Sequence, residues 1–222
     1  MRRILQKGRW IDEHMSPLPS GEGTTFFLAD KFMKNRLRTF IAVSLSSSVL
    51  AGIDKLTRTL RPHFGDEVRW VETKNLHITL KFLGDVPLND LPKLIRAVTQ
   101  SAEQMYSFDL TFQGLGAFPS WESPRTLWIG CREGSEELGN LAETIDEALI
   151  PLGFPKESRR FSPHLTIGRI KKSAPGVSLM PVFDEHQNRL FGSCSVSEVQ
   201  IFSSALTRRG PIYDELAAIP LR

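Results

Sequence analysis

The chain has 222 residues, 41% of them hydrophobic and 24% charged, with a formal net charge of +3 and a pI near 9.0. This balance belongs to an ordinary soluble globular chain and not to a disordered one, and no apolar run approaches the roughly 20 residues of a helical membrane span. Mild basicity suits an anionic ligand or RNA without by itself naming one.

The first 35 residues differ from the rest. Their start is basic, but no uninterrupted apolar region follows, so a secretory leader is not expected. "HMSPLPSGEGTT" is a Pro/Ser/Gly stretch without periodicity, which reads as loop. Residues 1–35 are therefore expected to form a loosely ordered N-terminal extension, and residues 36–222 the folded body. There "RTFIAVSL" is a short apolar run of β-formers, a buried strand. Ser46 to Ser48 offer capping hydroxyls to a helix carrying Val49, Ile53, Leu56 and Leu60, which Pro62 is expected to stop. "RWVETKNLHITLKFLGDV" reads as strand with a turn around Thr73-Lys74-Asn75, and Leu91, Leu94, Ile95, Val98 and Met105 as a second amphipathic helix.

Two strands follow, "FDLTFQGLGAF" and "RTLWIGCRE", then a helix that Ser135 can cap, with Leu138, Leu141, Ile145 and Leu149 on one side. Pro151 and Gly153 end it. "PHLTIGRI" is the next strand, residues 173–194 look irregular, and "VSEVQIFSSAL" and a last strand flank a turn at Arg209-Gly210-Pro211. Cys131 and Cys194, the only cysteines, form a poor disulfide framework and read as reduced, buried thiols of a cytoplasmic protein. The order of elements in the first half returns in the second, as in an internal duplication.

Both halves contain a strand with His, an apolar residue, Thr and another apolar residue: His77-Ile-Thr-Leu and His164-Leu-Thr-Ile. Residues two apart on a strand share a face, so each His and Thr stand on an open side while Ile78, Leu80, Leu165 and Ile167 enter the core. By composition, two such motifs arise by chance roughly 0.1% of the time, so coincidence is a poor explanation. A metal site lacks support, because no His-Glu-x-x-His or Cys-x-x-Cys is present and threonine is a poor ligand. A serine hydrolase lacks the Gly-x-Ser-x-Gly turn. Two imidazoles and two hydroxyls suit phosphoryl chemistry without a metal: one ring activates the incoming oxygen, the other protonates the leaving one, and the hydroxyls hold the phosphate.

These paired motifs, with "RTFIAVSL", "WVETKNLHITLKFLGDV", "FSPHLTIGRI" and "VSEVQIFSSALTRRGPIYDEL", resemble the 2H phosphoesterase superfamily, in particular its RNA 2′,3′-cyclic phosphodiesterase branch, also described as RNA 2′-5′ ligases. The resemblance covers about Arg38 to Leu221. It implies a bilobal α+β fold: two antiparallel sheets with flanking helices, related by a pseudo-two-fold axis, with a groove between them. It further implies an enzyme that opens 2′,3′-cyclic phosphate ends of RNA to 2′-phosphomonoesters with no cofactor and no metal. His77 and His164 would be the acid–base pair, and Thr79 and Thr166 the phosphate ligands.

Arg169 matches a family position associated with substrate. Strict alternation turns it away from His164, unless Gly168 marks a bulge that re-aims it; a rim ion pair is its ordinary alternative. Phe40 matches an aromatic near the groove, with stacking on a base and core packing both open to it. Lys81 shares the His77 face by alternation and would add positive potential. His14, His63 and His186 receive no role. The expected partners are RNA 3′ ends or small cyclic nucleotides bearing a 2′,3′-cyclic phosphate, with no membrane and a monomeric chain. Two other functions share these features: 2′-5′ ligation at the same site, and a non-catalytic module that holds RNA phosphates. Intact paired His and Thr favour an enzyme, since binding alone is served by Lys and Arg.

Overall fold

In a computed structural model that describes residues 3–6, 9–12, 35–171, 180–208 and 210–222, the described residues from 36 onward form two antiparallel sheets and four α-helices. Residues 1–35 cluster as a separate unit. In it β1 (Arg3–Gln6) and β2 (Arg9–Asp12) pair antiparallel, with Arg3 opposite Asp12. The four-residue strands RILQ and RWID are too short for alternation to announce them. The "HMSPLPSGEGTT" segment, His14 and Arg209 lie outside the described residues.

In the main unit the elements run β3 (Arg36–Val43), α1 (Ser47–Phe64), β4 (Val68–Trp70), β5 (Ile78–Pro87), α2 (Leu91–Ala102), β6 (Phe108–Phe118), β7 (Thr126–Cys131) and α3 (Ser135–Leu149). They continue with β8 (His164–Ile170), α4 (Met180–His186), β9 (Leu190–Val196), β10 (Glu198–Thr207) and β11 (Gly210–Pro220). One sheet has the order β11-β10-β3-β5 and the other β4-β8-β7-β6-β9. The lobes are therefore not the two halves of the sequence. β4, which precedes β5 in the chain, joins the sheet of β8, and the C-terminal hairpin returns to the sheet of β3. The helices cross over as well: α1 packs on β9 and β4, while α2 packs on β10 and β11 and α3 on β5. A single buried apolar cluster runs through both lobes, from Ile41 and Val43 to Ile219 and Leu221. No helix among the described residues is long and apolar enough to cross a membrane.

Local signals mostly placed these elements well. The Ser46 hydroxyl accepts from the Val49 amide at the start of α1. The turn expected at Thr73-Lys74-Asn75 is a 3₁₀ turn between β4 and β5. Several expectations need correction. Pro62 lies inside α1, which continues to Phe64. Proline removes the bond to the Arg58 carbonyl, but Phe64 is the next buried position after Leu60 and packs edge-on against Trp70 with centroids 5.8 Å apart, which holds the last turn. Helix α2 ends at Ala102, leaving Met105 beyond it.

Ser135 is the first residue of α3, not its cap. Its hydroxyl donates to the Cys131 carbonyl, and Gly134 caps the helix with φ 77°. Glycine is required there, because a Cβ would come within 2.2 Å of the Asp109 carbonyl oxygen. Part of the supposedly irregular 173–194 forms α4 and β9; residues 172–179 lie outside the described ones. His186, at the end of α4, is buried, not in an open loop. Cys194 is buried and Cys131 half-buried, both free thiols. Burial, with Cys194 adding to it, pushes the Cys131 thiol up to about 12.

Candidate active site

His77 immediately precedes β5, and His164 opens β8. Both rings are held the same way. His77 Nδ1 lies 2.8 Å from the carbonyl oxygen of Asn75, and His164 Nδ1 lies 2.8 Å from that of Ser162. A carbonyl only accepts, so Nδ1 carries the proton in each ring. The neutral imidazole then keeps its lone pair on Nε2. Asn75, itself buried, is anchored by its side-chain amide donating to the Pro211 carbonyl. The β10–β11 turn thus braces the His77 tether.

The two strands share a second feature. In the β3–β5 ladder Ala42 faces Thr79 and Ile41 faces Lys81, so Leu80 has no partner. In the β7–β8 ladder Trp128 faces Thr166 and Leu127 faces Gly168, so Ile167 has none. Each strand therefore bulges at the third residue after its histidine, and a bulge advances the alternation by one. The fifth residue after each histidine returns to the open face: Phe82 on β5 and Arg169 on β8. Both are exposed, Phe82 by 65%. The bulged residue is Ile167 and not Gly168. Glycine is needed at 168 for a different reason, since a Cβ there would lie 2.7 Å from a Val68 methyl group.

The same phase change removes Lys81 from the groove. Expected on the His77 face, it is only 4% exposed and forms a buried ion pair with Asp146 of α3. It also donates to the Pro155 carbonyl at 2.8 Å, while the Asp146 carboxylate accepts from the Glu157 amide at 2.9 Å. Lys81 is a clamp between β5 and the chain after α3.

Aromatic rings surround both histidines. Phe40 stacks on His77 with centroids 4.8 Å apart, Tyr213 meets the same ring edge-on at 5.2 Å, and Phe202 stands at 6.3 Å. Phe118 meets His164 edge-on at 4.9 Å, with Trp128 at 6.3 Å. Phe40 is only 3% exposed and also touches Phe82, Phe202 and Tyr213. That burial leaves it no free face for a base. It is the floor under His77. Burial lowers the pKa of His77, and the hydrogen bond to Asn75 opposes that shift.

A cleft of about 330 Å³ opens beside His77, lined by Ser44, Lys74, Asn75, Phe202 and Tyr213 among others. It does not extend to His164, Thr79 or Thr166. The two motif strands nevertheless adjoin, although they belong to different sheets. Burial raises the pKa of the Tyr213 hydroxyl, and the charges of Arg169 and Arg38 pull it the other way. The Thr79 and Thr166 hydroxyls are half-buried and make no hydrogen bond among the described residues. Nor does any group of three His, Cys, Asp or Glu there gather to hold a metal.

Motif spacing passed over Tyr213, Phe202, Phe82 and Asn75. Only pairing brings most of them in: Phe202 is the direct ladder partner of Phe40. "RGPIY" does carry a local signal, a Gly-Pro turn that ends in an aromatic.

Comparisons with known proteins agree with this architecture. The family model described as the 2′-5′ RNA ligase superfamily matches residues 45–208. A protein of Archaeoglobus fulgidus named RNA 2′,3′-cyclic phosphodiesterase is 36% identical over 180 residues, 81% of this chain and 98% of its own. The crystal structure of a Thermus thermophilus protein matches with a TM-score of 0.72 at 28% identity, over 84% of this chain and 98% of that one. Escherichia coli LigT complexed with 3′-AMP matches over the same shares, with a TM-score of 0.64 at 25% identity.

Proposed function

The chain belongs to the 2′-5′ RNA ligase superfamily, and from that premise we propose that it opens RNA 2′,3′-cyclic phosphate ends to 2′-phosphomonoesters, without a metal, by acid–base catalysis between His77 and His164. Curated relatives named RNA 2′,3′-cyclic phosphodiesterase support an enzyme of that type. The observation that carries the two-histidine reading is the matched tether: each Nδ1 proton is committed to a carbonyl two residues upstream, 2.8 Å away. Each ring thus has one nitrogen left for chemistry, on strands that adjoin across the groove.

In the reaction, Nε2 of one histidine takes a proton from water as the water oxygen bonds to phosphorus. The other histidine, protonated, gives its Nε2 proton to O3′ as the P–O3′ bond breaks. The phosphate stays on O2′, and the two rings exchange protonation states, which solvent resets. Thr79 and Thr166 hydroxyls and the Arg169 guanidinium donate to the non-bridging oxygens, where charge builds in the transition state. A 5′-hydroxyl in place of water yields a 2′-5′ linkage at the same site.

The test is turnover of an RNA oligonucleotide ending in a 2′,3′-cyclic phosphate in the presence of EDTA, with the product isomer identified. A 2′-phosphomonoester formed at an undiminished rate is expected. Activity lost on chelation and restored by Zn²⁺ or Mg²⁺, or a 3′-phosphate product, overturns the proposal.

A further inference from the structure

Arg69 of β4 and Arg169 of β8 are direct partners in the ladder. Such partners share a face and lie close, and like charges there are destabilising. Neither forms an ion pair among the described residues, whereas Arg58, Lys74, Lys81, Lys93 and Lys156 all do. An unrelieved repulsion built into a ladder calls for an anion that is not part of the fold.

A third guanidinium comes from the other sheet. Phe40 faces Phe202 on the groove side and Thr39 faces Ser203 on the buried side, so alternation returns Arg38 to the groove side with Phe40. Its ladder partner Asp85 is the carboxylate nearest in register, and the two form no ion pair. The arginines converge on the β10–β11 hairpin. Tyr213 of β11 meets Phe40, two residues from Arg38 on the same face, edge-on at 5.0 Å. A Cβ at Gly210 would lie 3.8 Å from an Arg69 guanidinium nitrogen, and the charges of Arg38 and Arg169 both oppose the rise of the Tyr213 pKa. The result is a cationic lip contributed by both sheets.

A cyclic phosphodiester carries a single negative charge, which Arg169 alone balances. Guanidinium, planar and weakly hydrated, is the group suited to gripping a further phosphate through paired donors. We propose that Arg69 and Arg38 form a second phosphate subsite, which holds the internucleotide phosphate on the 5′ side of the cyclic end and makes an RNA terminus, not a cyclic mononucleotide, the preferred substrate. This rests on the cyclic phosphodiesterase reading and names the substrate that the same groove selects.

The experiment compares kcat/KM for adenosine 2′,3′-cyclic phosphate, for a dinucleotide with the same end, and for that dinucleotide with an uncharged methylphosphonate linkage. The unsubstituted protein should prefer the charged dinucleotide by about tenfold or more, the worth of one charge-assisted contact, and the methylphosphonate should lose that preference. Arg69→Ala and Arg38→Ala should each remove most of the preference while leaving mononucleotide turnover within about twofold, in keeping with a contact the mononucleotide does not make. Salt should slow dinucleotide turnover less in each alanine variant than in the unsubstituted protein, because one screened charge contact is gone. Arg69→Lys should retain part of the preference, because charge persists while the fork is lost. Equal turnover of mononucleotide and dinucleotide by the unsubstituted protein, or equal slowing of both in the alanine variants, overturns the subsite and leaves the phosphodiesterase reading standing. Turnover of none of the three overturns both.

Discussion

Phe40 and His77 are stacked, their ring centroids 4.8 Å apart and their planes 28° from parallel. Phe40 stands on a neighbouring strand and is almost wholly buried, so it fixes where His77 can point. Phe40→Ala should cost about 3–5 kcal/mol of stability through the cavity it opens. Phe40→Leu keeps much of the volume and should cost under about 1.5 kcal/mol, yet it removes the flat support and should lower kcat more than stability predicts. Denaturant melts alongside kcat measure the two effects; a Leu variant with full kcat would show that the ring does not position His77.

His77→Ala and His164→Ala should each lower turnover by about 10²–10⁴-fold, the usual worth of general acid–base help, with the fold retained by circular dichroism. Near-full activity in either variant would remove that histidine from the mechanism. Thr79→Val, Thr166→Val and Arg169→Ala should act more mildly and mainly through phosphate binding, and unchanged kinetics in all of them would place the phosphate elsewhere.

The kcat/KM profile should rise and fall with pH, with two apparent pKa values that belong to the pair of rings and not to named residues. A flat profile through pH 5–9 would count against one neutral and one protonated ring. Replacing either histidine should leave at most a single limb.

Stability should also depend on pH through His77. Burial lowers its folded pKa, so between the two values the unfolded chain binds the proton and the folded chain does not. Stability is then highest above the unfolded value of about 6.5 and falls as pH drops below it towards the folded value. His186, whose pKa burial lowers as well, acts in the same direction. Melting temperature should therefore decline on acidification from about 6.5, and less steeply in His77→Gln than in the unsubstituted protein. Identical slopes would show that His77 is not held neutral by the fold.

Lys81→Met should be strongly destabilising, by about 3–5 kcal/mol, because it strands the Asp146 carboxylate in the interior. The double change Lys81→Met, Asp146→Leu should recover part of that loss, since an apolar pair of similar volume is often neutral. Chemical denaturation of the two variants decides the matter. A mild effect of Lys81→Met alone would mean that the pair is not buried in solution.

Much of the candidate site was legible in the chain because the faces of its strands depend on period-two alternation. Ile78, Leu80, Leu165 and Ile167 are buried as that period requires, which leaves His77, Thr79, His164 and Thr166 on the other side. The helices were equally legible from the spacing of Val49, Ile53, Leu56 and Leu60 and of Leu138, Leu141, Ile145 and Leu149. These are local facts, set by which residues repeat on one face of an element.

What alternation fails to give is any position past a bulge. Leu80 and Ile167 lose their ladder partners because of where β3 and β7 run, and those strands lie far off in the chain. From that point on, Lys81 turns inward to Asp146, 65 residues away, and Arg169 turns outward. The sharing of sheets is likewise a property of pairing: β4 leaves its neighbour β5, and β10 and β11 return to β3. Local sequence therefore determined the two histidine motifs and the faces they occupy. Tertiary pairing decided their phase, their aromatic floor and the arginine lip, because a strand's register is defined by its partner and not by itself.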